Sequence, residues 1–317
     1  MNVRSQGPAP LVGGGGQRDS RAVRAMYFAE LLAGGLAIGC VYSLVALGFA
    51  MIIRATSIIH FAQGELLMLG SMSGLSTLWL LPKLPAVAVL LCGMLASGIL
   101  ALAMEFLVYR PLRLRRVALM NVITATVGMS ILCINAARLL WGSEPLRYPE
   151  LFSTSVYRVA GVTISPQLVW IMLFGVVLMG LLQLFLKRTR TGLVMQAVAQ
   201  DAEVAQLMGA NLTRMMLYTF AIAGMMAGAA GVMFGSLFFS FFEMGFLLGI
   251  KGFVAATLGG LGSLAGAMLG GILFGLIETF SAVYVSSAYK DAIGMVLLIA
   301  ILLFLPSGLV GLWKSRG

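Results

Sequence analysis

The sequence predicts an all-α polytopic membrane protein with about eight to nine transmembrane helices, some of them broken or re-entrant at glycine-rich segments. Three observations carry that prediction. The first is composition: the 317 residues are 60% apolar and only 10% charged, with mean hydropathy +1.01. A soluble domain needs roughly 25% charged residues to cover its surface, so most of this surface must face a medium as apolar as the core. The second is a succession of apolar runs at 27–53, 61–81, 85–108, 118–140, 167–186, 216–240, 247–260, 264–284 and 291–311, where about 20 apolar residues suffice for one helical crossing. The third is glycine, 39 residues in all, spaced in fours at Gly224/Gly228, Gly231/Gly235, Gly262/Gly266/Gly270 and Gly271/Gly275. That spacing clears one helix face of side chains and lets another backbone approach, as tight helix packing requires.

In chain order, residues 1–26 are polar, Gly-rich from Gly13 to Gly16, and carry Arg18, Arg21 and Arg24. They lack the apolar stretch of a signal peptide and read as a disordered tail, or as an over-extended start with the initiator at Met26. Residues 27–311 form the membrane domain and 312–317 a cytoplasmic C-terminus. Basic residues gather in the connections: Arg110, Arg113, Arg115 and Arg116 in 109–117, then Lys187, Arg188 and Arg190 opening 187–215, and finally Lys314 and Arg316. Basic clusters between apolar runs mark cytoplasmic loops. Parity agrees, since two runs separate the first two clusters and four more separate the second from the C-terminus. Three runs precede 109–117, which places the N-terminus outside, against the arginines of the tail. Either the tail is not translated, or the region around His60 to Gly64 dips in and out and changes the count. The polar stretch 142–166, with Glu144, Arg147, Glu150 and Arg158, falls on the outer side.

The net charge of +10 does not point to nucleic acid, because the charges sit in membrane loops rather than on one face of a domain. Cys40, Cys92 and Cys133 lie inside apolar runs without CxxC spacing, and His60 is the sole histidine, so neither a disulfide framework nor a metal site is expected. Enzyme signatures fail: there is no GxxxxGK[ST], no HExxH and no nucleophile elbow. Gly260 to Ala265 matches a dinucleotide fingerprint only formally, since it lies between membrane runs rather than in a βαβ unit. Asn211-Leu212-Thr213 is a formal glycosylation sequon on the cytoplasmic side. No cofactor is expected.

Two glycine-broken segments remain, one in each half: Ser57 to Glu65, and Thr257 to Gly266. Interrupted hydrophobic segments in corresponding positions point to discontinuous helices and a transport pathway. His60, Gln63, Gly64 and Glu65, with Gly259, Gly260 and Gly262, are the candidate pathway or gate residues. A carboxylate such as Glu65 inside an apolar run costs a few kcal/mol and usually faces a bundle interior or a water-filled cavity. The bland alternative is an interfacial Glu65 that caps or snorkels. Lys251 and Glu278, in neighbouring runs, are placed to pair.

The connection 187–215 holds the one regular loop motif. Asp201 can cap a short helix, and Glu203 suits its positive end. Val204, Ala205, Leu207 and Met208 supply an apolar face, Gly209 stops the helix, and Asn211 or Thr213 can cap the next. Such a helix needs a surface for its apolar side, either lipid headgroups or a partner protein.

Glu203-x-Ala205-xxx-Gly209 fits the EAA-xxx-G pattern of ABC importer permeases, with Val204 in place of the middle Ala. The chain resembles the branched-chain amino-acid ABC permease family from about Gly35 to Gly311. Matching stretches are Gly39 to Gly48, Phe61 to Glu65, Tyr109 to Arg113, Gly128 to Ile131, Leu258 to Gly262 with Gly266 to Met268, Tyr289 to Asp291 and Leu305 to Gly308. The family usually has Asn at His60, His at Gln63, Glu at Gln200 and Pro at Ala265. The resemblance implies a multi-pass permease subunit of the bacterial inner membrane that does no bond chemistry. Its implied partners are a second permease subunit, two ATPase subunits and an extracytoplasmic binding protein. Asp201, Glu203, Ala205, Leu207 and Gly209 would then couple to the ATPase. Branched-chain amino acids lead as substrates, with urea or short amides served by close relatives. A stand-alone secondary transporter or channel is the rival class, and it would have no use for a docking helix.

Overall fold

A computed structural model describes residues 16–115, 117–149, 157–159, 162–305 and 308–309. The elements are α1 (Gly16–Thr56), α2 (Gln63–Leu80), α3 (Ala86–Met104), α4 (Arg110–Leu114), α5 (Leu119–Trp141), β1 (Tyr157–Val159), β2 (Val162–Ile164), α6 (Pro166–Arg188), α7 (Arg190–Gln200), α8 (Ala202–Leu207), α9 (Leu212–Leu237), α10 (Met244–Gly259), α11 (Leu264–Tyr284) and α12 (Lys290–Phe304). Every apolar run becomes a helix. Seven stretches, with α3 and α4 joined as one, are long and apolar enough to cross a membrane among the described residues. The remaining two runs give α2 and α10. At 1.5 Å per residue α2 is about 27 Å long and α10 about 24 Å, short of the roughly 30 Å hydrocarbon layer.

Three boundaries differ from the sequence expectation. α1 begins at Gly16, so helix covers the second half of the segment expected to be a disordered tail; residues 17–25 hold no Gly or Pro to stop it. The basic connection 109–117 is helical through Leu114. Pro111 has no N–H to donate and its ring crowds the carbonyl four residues back. The ladder widens there, with Arg110 N–H bonded to Glu105 O, and α3 passes into α4 through a π turn at Glu105–Tyr109. The polar stretch 142–166 contains the antiparallel β1–β2 hairpin and a bridge from Leu146 to Ser240. Residues 1–15, Arg116, Glu150, Pro306, Ser307 and the predicted C-terminus 312–317 lie outside the described residues.

The helices run back and forth between two ends. One carries α4, α7 and α8 with Arg113, Lys187, Arg188 and Arg190, and is the basic end. The other carries the hairpin. α2 runs the whole way, since Ser76 near its far end accepts a 2.7 Å hydrogen bond from Trp141 Nε1 at the end of α5. The His60 to Gly64 region is therefore a turn at the basic end and leaves the count of passes unchanged. Phe28 of α1 packs on Phe280 of α11 at the hairpin end.

α1 and α9 form the centre, α1 against α11, α9, α10 and α6, and α9 against α3, α2 and α1. The glycine rows explain why these helices approach so closely. Gly224 and Gly228 meet Ser97 of α3, Gly231 meets the Leu67 carbonyl of α2, and Gly235 meets Ser71. Gly271 and Gly275 lie on Ser43 and Gly39 of α1, and Gly270 on Ala255 and Gly259 of α10. With no hydrophobic drive between helices in lipid, such packing and inter-helix hydrogen bonds hold the bundle. Ser43 Oγ donates to Met268 O at 2.6 Å and Ser97 Oγ to Leu66 O at 2.7 Å. The outward faces of α3, α5, α6 and α12 expose Leu91, Leu95, Ile131, Leu139, Val176 and Leu303.

Candidate functional site

The first break is a polar junction. α1 ends at Thr56, Ser57 takes a positive φ of 57°, and the chain crosses to α2 through residues 58–62. Phe61 N–H donates to Thr126 Oγ1 of α5 at 3.3 Å, and Gln63 Nε2 donates to Ala223 O of α9 at 3.2 Å. Glu65 is fully buried in the first turn of α2, where the helix dipole favours a carboxylate. Ser130 of α5 donates to its Oε1 at 3.0 Å, while Oε2 lies against Gly245 of α10 and has no hydrogen-bond partner. Gly64 packs backbone to backbone on Gly245 and Gly249. Glu65 thus sits where α2, α5 and α10 meet, inside the bundle rather than at its interface.

His60 is buried between Tyr109 and Phe220, edge-on to both at 5.1 and 5.4 Å between ring centroids. It lines a cavity of about 280 Å³ at the basic end, with Glu105, Tyr109, Arg113 and Thr126. Glu105 Oε1 accepts from Arg113 at 2.5 Å. The two ring nitrogens of His60, Tyr109 Oη and Glu105 Oε2 have no hydrogen-bond partner. The sequence reading missed Glu105 and Tyr109, although Glu105 lies within an apolar run and the argument that singles out Glu65 applies to it equally. Glu105 continues the buried face of α3, four residues after Ala101, and Tyr109 follows four residues later at the other end of the π turn.

The second break is a tight turn of backbone. α10 ends at Gly259, Gly260 takes φ of 102°, and Ser263 caps α11 by accepting from Gly266 N–H at 3.1 Å. Gly259 lies on the Gly266 backbone, whereas Gly262 faces open space. Of the seven candidate pathway residues, only His60 lines a described cavity, and the two breaks share none.

In the long loop, Asp201 Oδ1 accepts from Glu203 and Val204 N–H, both at 3.0 Å, so it caps α8 as expected. Gly209, at φ of 91°, turns the chain, and Asn211 caps α9 by accepting from Arg214 N–H at 3.1 Å. One placement differs from the expectation. Ala205 is buried against Val198 and Met216 of the chain's own α7 and α9, so it belongs to the seat of α8. Val204, Leu207 and Met208 are exposed, Leu207 by 87%. A helix of six residues is too short for its sequence to reveal which side faces inward.

Lys251 and Glu278 do pair, Nζ to Oε1 at 2.5 Å, and Asp291 of α12 joins them at 2.7 Å from the same Nζ. Lys251 and Glu278 are buried, at 7% and 8% side-chain exposure, and the cluster lies at the hairpin end.

Comparison with known proteins agrees with this architecture. The family described as "Branched-chain amino acid transport system / permease component" matches residues 31–302. The chain is 35% identical to the high-affinity branched-chain amino acid transport system permease protein LivH of Salmonella typhimurium, over 90% of this chain and 96% of that one. It is 34% identical to LivH of Escherichia coli K12 and 35% to BraD of Pseudomonas aeruginosa, each with the same two coverages. A solved structure, PsaBC from Streptococcus pneumoniae in complex with Fab, shares the fold with TM-score 0.50 at 13% identity, over 94% of this chain and 100% of that one. A match to the family across most of the membrane domain, with relatives matched nearly end to end, settles the class: the chain belongs to the branched-chain amino acid transport system permease family, as a multi-pass membrane protein.

Proposed function

We propose that this chain is the permease subunit of an ATP-binding-cassette importer of the inner membrane, carrying branched-chain amino acids inward. Its partners are a second permease subunit, two ATPase subunits and an extracytoplasmic binding protein. The names of its relatives support the substrate class, and one structural observation supports the mechanism. At the basic end a short capped helix, α8, is fastened to the bundle through Ala205 and turns Val204, Leu207 and Met208 outward. Exposed apolar side chains gathered on the outer side of a short, firmly seated helix are a docking surface. Seated on α7 and α9, α8 transmits a push from the ATPase to the C-terminal half of the bundle. The chain itself performs no bond chemistry.

The test is Leu207→Glu, which leaves the buried side of α8 intact. A charge at an interface centre should weaken ATPase binding by about 2 kcal/mol, roughly thirtyfold. Co-purification of the ATPase and ATP-driven leucine uptake into reconstituted vesicles are both expected to be lost, while the permease still reaches the membrane. Cysteines at 204, 207 and 208 should crosslink to the ATPase and cysteines at 143–147 should not. Full uptake by Leu207→Glu, or crosslinks from the hairpin end alone, would overturn the reading.

A further inference from the structure

We infer that the cavity holding Lys251, Glu278 and Asp291 is an entry subsite for a free zwitterionic amino acid with an aliphatic side chain. The inference rests on the importer reading and assigns a place in this chain to its substrate. The cavity has a volume of about 330 Å³, at the small end of ligand pockets and sized for one small solute. It lies at the hairpin end, opposite α8, where a solute delivered from outside would arrive. None of the residues of the two glycine breaks line it.

Its chemistry is divided. One part is charged: Lys251, Lys290, Glu278 and Asp291. Two positive and two negative groups sum to zero. The rest is mostly apolar, built from Ile38, Phe241, Met244, Leu247 and Leu248 among others, with Tyr42 and Thr279 as its uncharged polar members. Asp291 marks the mouth, its side chain 45% exposed, while Lys251 and Glu278 are 7% and 8% exposed at the inner side. Glu278 Oε2 is buried without a hydrogen-bond partner, which leaves an acceptor open for an ammonium.

A neutral cluster, with Lys251 and Glu278 buried and Asp291 at the mouth, accepts a zwitterion without leaving any charge uncompensated. The ligand's carboxylate takes a place beside Lys251, and its ammonium goes to Glu278 Oε2 and Asp291. A lone carboxylic acid or amine of the same carbon skeleton would leave one buried charge unpaired, which costs far more than the pairing it gains. The apolar wall then receives the side chain. The pocket should therefore demand both charged groups on one small apolar molecule.

Val283→Cys places a thiol on the rim of this cavity, where Val283 is exposed. The purified transporter complex carrying it is treated with a maleimide, and labelling is counted above that of the complex without the added cysteine. L-leucine is expected to slow labelling about tenfold at a concentration about ten times its Kd. Isocaproate and isoamylamine, which each keep one charge of leucine, should give no protection at the same concentration. Combining Lys251→Met with Glu278→Gln should abolish the protection by leucine while the complex still assembles. The ligand comparison uses intact charges, so it stands even where the double variant fails to assemble. Equal protection by all three compounds, or none by leucine, overturns the subsite. Leucine uptake by vesicles bearing the unaltered complex separates the two ideas. Uptake without protection overturns the subsite alone, and absence of uptake overturns the importer reading and the subsite with it.

Discussion

The segments at His60–Glu65 and Gly259–Gly262 read alike in sequence, each a glycine-broken apolar run, and the fold uses them in opposite ways. The first places a carboxylate, an amide and an imidazole in the bundle interior, held by side-chain contacts to α5 and α9. The second places glycine backbone and the apolar Leu261 there, with Gly259 on Gly266 and Ser263 capping α11. A glycine break thus marks where a helix ends. The side chains beside it decide whether that end is a polar site or a hinge of packing.

The largest expected effect separates two glycines of the second break. A Cβ at Gly259 would run into the Gly266 backbone, which cannot yield as a flexible side chain can. Gly259→Val should cost about 3 kcal/mol and remove the monodisperse peak in size-exclusion chromatography. Gly262→Val meets open space and should leave peak and melting temperature unchanged. Equal behaviour of the two would show that the turn is not held by that contact.

At the first break the expected effect is on transport. Glu65→Gln keeps an oxygen to accept from Ser130, so the fold should persist. Uptake should fall about tenfold, because an intramembrane carboxylate is retained against its solvation cost for use in the pathway. Normal uptake would make Glu65 a packing residue, and the contrast between the two breaks would shrink to geometry. The smallest effect concerns His60→Phe. It preserves the ring contacts with Tyr109 and Phe220 and removes two buried nitrogens that have no partner. A gain of about 1 kcal/mol is expected, read as a rise of a few degrees in melting temperature. A fall would mean that the nitrogens bind something in the cavity.

Much of the fold was legible because lipid demands it. Each hydrophobic run had to satisfy its own backbone within one helix, so run and helix coincide. The cap at Asp201 and the stop at Gly209 were equally legible, being local chemistry. What escaped the sequence was direction. Ala205 and Leu207 differ by two positions, and nothing in six residues says that the first faces α9 and the second solvent. Glu105 was open to the same argument as Glu65, lying four residues after Ala101 on the buried face of α3, and went unread; the link from Lys251 to Asp291 escaped because it joins residues forty apart in sequence. The pairing of Lys251 with Glu278 was legible, since opposite charges in neighbouring membrane runs have few alternatives.

The shortness of α10 has a consequence for how the protein meets its bilayer. A span shorter than the hydrocarbon normally thins the membrane around it or tilts its neighbours. Most of α10 is buried among other helices, from Met244 and Leu248 through Val254 to Gly259, so lipid seldom touches it and hydrophobic mismatch falls elsewhere. The bilayer is matched by α3, which runs on into α4, and by α5 and α6, whose outer faces carry the exposed Leu, Ile and Val side chains. Lipid chain length therefore acts on the rim of the bundle, and α10, with Lys251 at its middle, is insulated from it.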